Sequence, residues 1–130
     1  MKQAVLLYYN LKPEKAQKIR LAAMRLKIRV RPIAREEYGQ TLAALCGLEE
    51  LTDATYDGAG FEDEMIVMAN FPAGTMNTFL GLFRRMGITP VALKAILTPT
   101  NAQWDSEKLH TEIASEHEAM TKGNGAAHGT

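Results

Sequence analysis

The chain has 130 residues, the length of one ordinary domain, and 46% hydrophobic with 23% charged residues is a globular composition. No apolar run approaches the ~20 residues of a membrane-spanning helix, so we expect no association with the membrane. The zero net charge hides a segregation: residues 1–35 carry ten basic and one acidic side chain, residues 36–64 nine acidic and no basic, and residues 65–130 five of each.

The first 35 residues have the pattern of a β-α-β unit. Residues 3–10 are rich in aliphatic and aromatic side chains, which favours a strand. Pro13 suits the first turn of a helix, where its missing N–H costs nothing. Residues 28–31 alternate between apolar and basic side chains, the period of a second strand. The predicted helix has apolar residues at helical spacing: Ala16, Ile19, Ala23 and Leu26.

The acidic segment, residues 36–64, interrupts this pattern. Residues 37–48 include Leu42, Leu45 and Leu48, which predict a short helix. Residues 52–60 are polar and contain glycines, which is typical of a loop.

Residues 65–97 predict a second β-α-β unit. Its strands are expected at residues 65–70 and 91–97, with a helix over residues 75–86 and Gly87 as a left-handed C-terminal cap. Residues 98–104 predict a loop. A last helix over residues 105–120 would be capped at its N-terminus by Asp105, and the small polar residues 121–130 predict a disordered tail.

The two units are related by an offset of 60 residues, which aligns Asn10 with Asn70, Arg25 with Arg85 and Ile28 with Ile88. Two such units commonly form a ferredoxin-like, four-stranded sheet with both helices on one face. We therefore predict one α+β domain over residues 1–120, with an inserted short helix and an extra C-terminal helix. Beyond residue 88 the two units differ in which alternate positions are apolar: Ile28 and Val30 in the first unit, but Val91 and Leu93 in the second. Either Pro90 shifts the register or the repeat ends near residue 88.

The expected location is the cytoplasm. Cys46 is the only cysteine, so no internal disulfide can form, and a reducing compartment is the simpler assumption. The apolar stretch within residues 1–10 is not followed by a cleavage site of small residues, so we expect no signal peptide.

The basic residues of the first unit suggest a phosphate-binding surface on an open sheet face. Residues 8–11 resemble the first-strand motif of RNA-recognition domains, but residues 65–70 lack the aromatic side chains of that family's second motif. The alternative is that the acidic segment folds against these residues and neutralises them. The candidate contacts are Lys18, Arg25, Arg29 and Arg31.

A second candidate site lies where the fourth strand passes into the last helix. Hydroxyl and amide side chains follow a strand that carries a lysine, and loops in this position often hold ligands. Turns and helix caps use the same residue types, so a structural role stays open. The candidate ligand-binding residues are Lys94, Thr98, Thr100, Asn101 and Trp104.

Catalytic and metal sites are not indicated. Cys46 has no base near it in the sequence and suits a buried apolar position. His110 and His117 are seven residues apart, ~10 Å along a helix, too far to share one metal ion. We therefore expect no catalytic residues, no metal and no cofactor.

The end of the chain resembles a known family. The resemblance rests on a run that begins at Lys94, continues with Leu97, Thr98, Pro99, Thr100 and Asn101 and ends at Trp104, together with residues 116–118. This pattern resembles domain-of-unknown-function family 3783, and the resemblance covers residues 64–120. Residues 37–40, with Leu42, Ala44 and Gly47, resemble the stretch that precedes this domain. The resemblance implies a small, soluble bacterial protein, chiefly of anaerobic Gram-positive bacteria, and implies no chemistry.

We therefore predict a non-enzymatic ligand-binding or regulatory module. We expect a homodimer, paired through sheet edges or open faces, and a small anionic ligand at the loop of residues 98–104. The alternatives are a nucleic-acid-binding protein that uses its basic N-terminal third and, ranked last, a small enzyme that uses Lys94 or a histidine.

Overall fold

The computed structural model describes residues 3–129, with side chains through residue 120. The predicted disordered tail, residues 121–130, lies outside the residues whose side chains are described. Two short 3-10 turns, Arg35–Glu37 and Asn101–Gln103, join the larger elements. These are β1 Val5–Tyr9, α1 Pro13–Arg25, β2 Arg29–Pro32, α2 Leu42–Leu45, β3 Met65–Ala69, α3 Thr75–Arg85, β4 Leu93–Ile96 and α4 Ser106–Gly129.

The four strands form one mixed sheet in the order β2-β1-β3-β4. β1 is parallel to β2 and β3 is parallel to β4, whereas β1 and β3 pair antiparallel in the centre. The predicted α+β class and four-stranded sheet are confirmed. The ferredoxin-like arrangement is not confirmed, because in that split arrangement a strand of one unit lies between the strands of the other. Here the two strands of each β-α-β unit are direct neighbours.

The central strand pair has an internal two-fold relation. Leu7 faces Val67, its own equivalent at the 60-residue offset. Asn10 and Asn70 both have φ 61°, and the two side chains make equivalent bonds. Asn10 Nδ2 donates to the carbonyl of Asp63 at 3.0 Å, and Asn70 Nδ2 donates to that of Gln3 at 3.2 Å.

The second unit has four more residues than the first between its helix and its second strand, so the offset of 60 does not extend to β4. β1 pairs with β2 through Val5 and Arg29, whereas β3 pairs with β4 through Met65 and Leu93, so the offset of 60 becomes 64. Residues 89–92 account for the difference. Val91, expected in the strand, precedes β4 and is buried instead against the α3 side of the sheet. An insertion of even length leaves the alternation of side chains unchanged, so the parity differs because different positions are apolar: Val30 of β2 packs on the α1 side, whereas Leu93 of β4 packs on the α4 side.

Helices cover both faces of the sheet. α1 and α3 pack on one face, with Ile19 and Phe79 fully buried in that core. On the other face the core contains Leu45 of α2 and Leu109 of α4. Every residue of β1 and β3 is buried. The sheet face that the sequence analysis left open for nucleic acid or dimer contacts is therefore covered.

The sheet edges are short and protected. β2 carries Arg29 and Arg31 and contains Pro32, which has no N–H to donate, and β4 carries Lys94. Charged side chains and proline are the usual devices that keep edge strands from pairing with another chain. A homodimer stays a prediction. Within residues 3–129, no helix is long and apolar enough to cross a membrane.

Lys27 and Gly87, equivalent positions after α1 and α3, give a test of the repeat. Both are left-handed, with φ 58° and 68°, a conformation that costs a non-glycine residue about 1 kcal/mol. We expect Lys27→Gly to raise the free energy of unfolding by about 0.5–1 kcal/mol and Gly87→Ala to lower it by about 1 kcal/mol in chemical denaturation. No atom stands within 4 Å of a Cβ at Gly87, so crowding does not contribute. Lys27→Ala is the control. An equal gain from this variant would contradict strain as the cause.

Candidate functional site

A groove between α3 and the edge strand β4 combines apolar walls with two cations. Its volume is about 410 Å³, which falls in the range of small-molecule pockets. Lys94 enters it from the middle of β4, and Arg84 lies on the last turn of α3. The apolar walls of this α3–β4 groove are Leu80, Phe83, Ile88, Pro90 and Val91.

The inserted residues 89–92 build one side of the groove. Val91 supplies a wall, and its carbonyl accepts a hydrogen bond of 2.7 Å from Lys94 Nζ. A lysine ammonium has three donors, so two remain for a ligand. Neither Lys94 nor Arg84 has an acidic partner among the described side chains. Because no carboxylate lines the groove, its potential is positive.

The other predicted loop residues are separated from Lys94. Thr98 N–H donates to Asn101 Oδ1 at 2.8 Å, and Asn101 N–H donates to Thr98 Oγ1 at 3.1 Å. Asn101 Nδ2 also donates to the carbonyl of Ile96, so these side chains hold the turn. Thr100 is exposed. Trp104 packs against the core on the α4 side, with Lys94 on the opposite face of β4. Ligand binding by these four residues stays a prediction.

The basic candidates divide into paired and free groups. Arg31 Nη2 contacts Glu37 Oε2 at 2.6 Å and Nη1 donates to the carbonyl of Leu45, so this guanidinium is occupied. Lys18, Arg25 and Arg29 are exposed and have no acidic partner among the described residues. The acidic segment therefore neutralises the basic segment only in part.

A second cavity of about 540 Å³ lies at the N-terminus of α1 but lacks a charge preference. It is lined by Lys12, Lys15 and Lys18 and by three glutamates. Lys15 Nζ is bound to Glu64 Oε1 at 2.6 Å and to the carbonyl of Pro90. Three lysines balance three glutamates, so this cavity has no net charge, and we favour the smaller α3–β4 groove, which has cations and no carboxylate, as the functional site.

Comparison with known proteins finds one family model that matches part of the chain. Residues 64–120 match the family model described as Domain of unknown function (DUF3783). We term residues 64–120 the DUF3783 segment. No curated protein and no solved structure matched the chain.

The family resemblance drawn from the sequence is confirmed for residues 64–120. The DUF3783 segment contains β3, α3, β4 and the described side chains of α4, and therefore the whole α3–β4 groove. Its β3 pairs with β1, which lies outside the segment. The groove thus belongs to the DUF3783 segment, whereas the sheet beneath it requires both repeats.

Sequence reasoning found Lys94 but missed Arg84 and the groove wall. The apolar stripe of α3 was assigned to the core, and Phe79, Leu82 and Phe83 are indeed buried there. Leu80 lies off that stripe, half-buried and four residues before Arg84. An apolar residue beside the core stripe, with a cation one turn later, was the available signal.

Potential catalytic groups of the DUF3783 segment are engaged elsewhere. His110 Nε2 lies 2.8 Å from Asp63 Oδ2, and its ring stacks on Phe61 at 4.0 Å. Ser106 is fully buried, with Oγ 2.7 Å from the Tyr9 hydroxyl. Burial raises the pKa of Tyr9 above its usual range. Among the described side chains, no group of three His, Cys, Asp or Glu residues could hold a metal ion.

Cys46, outside the DUF3783 segment, gives a test of its predicted role as a buried apolar residue. Burial raises the pKa of its thiol to about 11, with Arg31 partly opposing the shift. At about pH 8 we expect the folded protein to react with a disulfide reagent at least ~100-fold more slowly than the unfolded chain, since only the thiolate reacts. Stopped-flow absorbance checks this, with Cys46→Ser as the blank. Equal rates before and after unfolding would contradict a buried, protonated thiol.

Proposed function

We propose that the protein is a non-enzymatic binding module whose α3–β4 groove takes a small organic anion with an apolar body. The observation that carries this proposal is the pairing of Lys94 and Arg84 with apolar walls and no carboxylate. An apolar body would displace water from Leu80, Phe83 and Val91, and its negative group would meet the two cations. Charged donors at the rim of an apolar pocket are a common means of orienting small ligands.

The composition of the groove supports binding without turnover. Its lining contains no carboxylate, imidazole, thiol or hydroxyl side chain. General acid–base catalysis and most nucleophilic catalysis need one of these groups within hydrogen-bond reach. Lys94 is the one nucleophilic group in the lining, and its ammonium donates to the carbonyl of Val91. This arrangement favours an ionic contact over covalent chemistry.

A pair of matched dyes tests the proposed site. 8-Anilinonaphthalene-1-sulfonate carries an apolar body with one negative charge, and N-phenyl-1-naphthylamine has the same rings without the charge. We expect Lys94→Gln and Arg84→Gln each to weaken sulfonate binding about three- to tenfold, because each removes one charged donor. Binding of the neutral dye should change less than about twofold. Fluorescence titration measures both affinities.

Arg85→Gln is the matched control for these variants. Arg85 is adjacent to Arg84 and is also exposed, but it lines a different surface of α3, beside Asn77 and Gly81, rather than the groove. Its substitution removes the same charge from the same helix and should leave sulfonate affinity unchanged. If Arg85→Gln weakens binding as much as Arg84→Gln, the effect comes from net charge, and the groove is not the site.

Nucleic-acid binding is the second candidate, and the exposed, unpaired Lys18, Arg25 and Arg29 favour it. We rank it lower because Tyr8 and Tyr9 are buried, which leaves the first-strand motif unable to stack on bases. Contacts with phosphates would then supply nearly all of the affinity.

Salt dependence tests this second candidate. Three phosphate contacts predict that affinity for a labelled oligonucleotide falls about 40-fold between about 50 and 200 mM salt. Fluorescence anisotropy with DNA and RNA measures this slope. Arg29→Gln should reduce the slope by about one contact, and Arg85→Gln should not. Absence of binding at the lower salt concentration would exclude a free nucleic-acid surface.

A further inference from the structure

The first β-α-β unit has a groove of its own, at the position equivalent to the α3–β4 groove. It lies between α1 and the edge strand β2 and has a volume of about 470 Å³. Its lining consists of Gln3, Arg20, Met24, Lys27, Ile28, Arg29 and Val30. We term it the α1–β2 groove.

The internal two-fold relates the two grooves residue by residue. At the offset of 60, Arg20 corresponds to Leu80 and Met24 to Arg84. Ile28 and Ile88 are both buried at the base of their grooves. Beyond the insertion, the offset of 64 relates Val30 to Lys94. The backbone arrangement is thus repeated, whereas at each of these three charged positions the cation of one groove corresponds to an apolar residue of the other.

Three cations and no carboxylate line the α1–β2 groove. Arg20 is held in place, because Nη2 donates to the Tyr8 hydroxyl at 2.9 Å and the guanidinium lies 5.6 Å from the centre of that ring. The backbone of Lys27 is left-handed, and its carbonyl accepts a bond of 2.9 Å from Gln3 Nε2. Arg29 is exposed on the edge strand β2 and completes the lining.

Apolar surface lies beside these charges. Met24 is 70% exposed, far more than a methionine of a well-covered helix face, and Val30 is half-buried. An inorganic ion would leave this surface in contact with water, whereas a ligand with an apolar body would cover it. Because the groove has three cations, against two in the α3–β4 groove, it suits a ligand of higher negative charge.

We propose that the α1–β2 groove is a second binding site, for an amphipathic dianion of the aryl phosphate type. The phosphate would accept bonds from Lys27 and Arg29, with Arg20 adding charge, and the ring would lie on Met24 and Val30. This proposal does not depend on the ligand of the α3–β4 groove. It assigns to the protein two anion sites of different charge preference, one in each repeat.

Titration of the ¹⁵N-labelled full chain with three probes tests the proposal. 1-Naphthyl phosphate is a dianion at about pH 7.5, since its second pKa is near 6. 1-Naphthalenesulfonate has the same rings with one charge, and inorganic phosphate has the charge without the rings. We expect 1-naphthyl phosphate to shift the amide signals of residues 24–30 and to bind there at least about fivefold more tightly than either other probe.

Single substitutions then identify the groove. Arg29→Gln and Lys27→Gln should each weaken 1-naphthyl phosphate binding at least about threefold, and Arg29→Lys should restore part of the loss. Arg25→Gln is the matched control, because Arg25 is exposed on α1 and does not line the groove. Lys94→Gln should have no effect on signals of residues 24–30.

The outcomes separate this proposal from the proposed function. Shifts confined to residues 80–94 would overturn the second site and leave the first intact. Equal binding of inorganic phosphate and 1-naphthyl phosphate would overturn the apolar subsite. Shifts at residues 24–30 that disappear with Arg25→Gln as readily as with Arg29→Gln would reduce the site to general attraction by charge, which also overturns it.

Discussion

The antiparallel pairing of β1 with β3 is the constraint on which the remaining structure depends. Both strands are apolar on both faces, and each of their residues is buried. The two repeats supply only α1 and α3, which pack on the same face. Strands that are apolar on both sides need cover on both sides. The acidic segment with α2, together with α4, provides the second layer, so these segments are required by the sheet rather than added to it.

Local patterns predicted the elements better than their arrangement. β1, α1, β3 and α3 lie within a few residues of their expected bounds, because aliphatic runs and helical periodicity are local signals. Strand order depends on which strands pair, and no local pattern states this. One signal was overlooked: residues 5–9 and 65–69 are almost uniformly apolar rather than alternating. A strand with an open face alternates, so these runs already argued for cover on both faces.

The candidate site was harder to predict because it depends on the insertion of residues 89–92. Lys94 was identified, but it was grouped with Thr98, Asn101 and Trp104, which follow it in the sequence. Alternation along β4 directs Leu93 and Ala95 to the α4 core, and therefore Lys94 to the α3 side. The even length of the insertion preserves this alternation while displacing Val91 into the groove wall. To assign Lys94 to the α3 side from the sequence, one would have needed the register of β4 against β3.

Charge segregation contributes little to holding the layers together. Two ion pairs join the basic and acidic segments among the described side chains, Lys15 with Glu64 and Arg31 with Glu37. Surface pairs of this kind contribute about 0–1 kcal/mol each. The acidic segment is held instead by aromatic packing, since Tyr38 is buried and stacks on Phe61 at 4.7 Å. Burial of an aromatic side chain contributes about 1.5–3 kcal/mol. Because packing rather than charge attaches this layer, Arg29 at the edge of β2 has no acidic partner among the described side chains and is free to meet an anion.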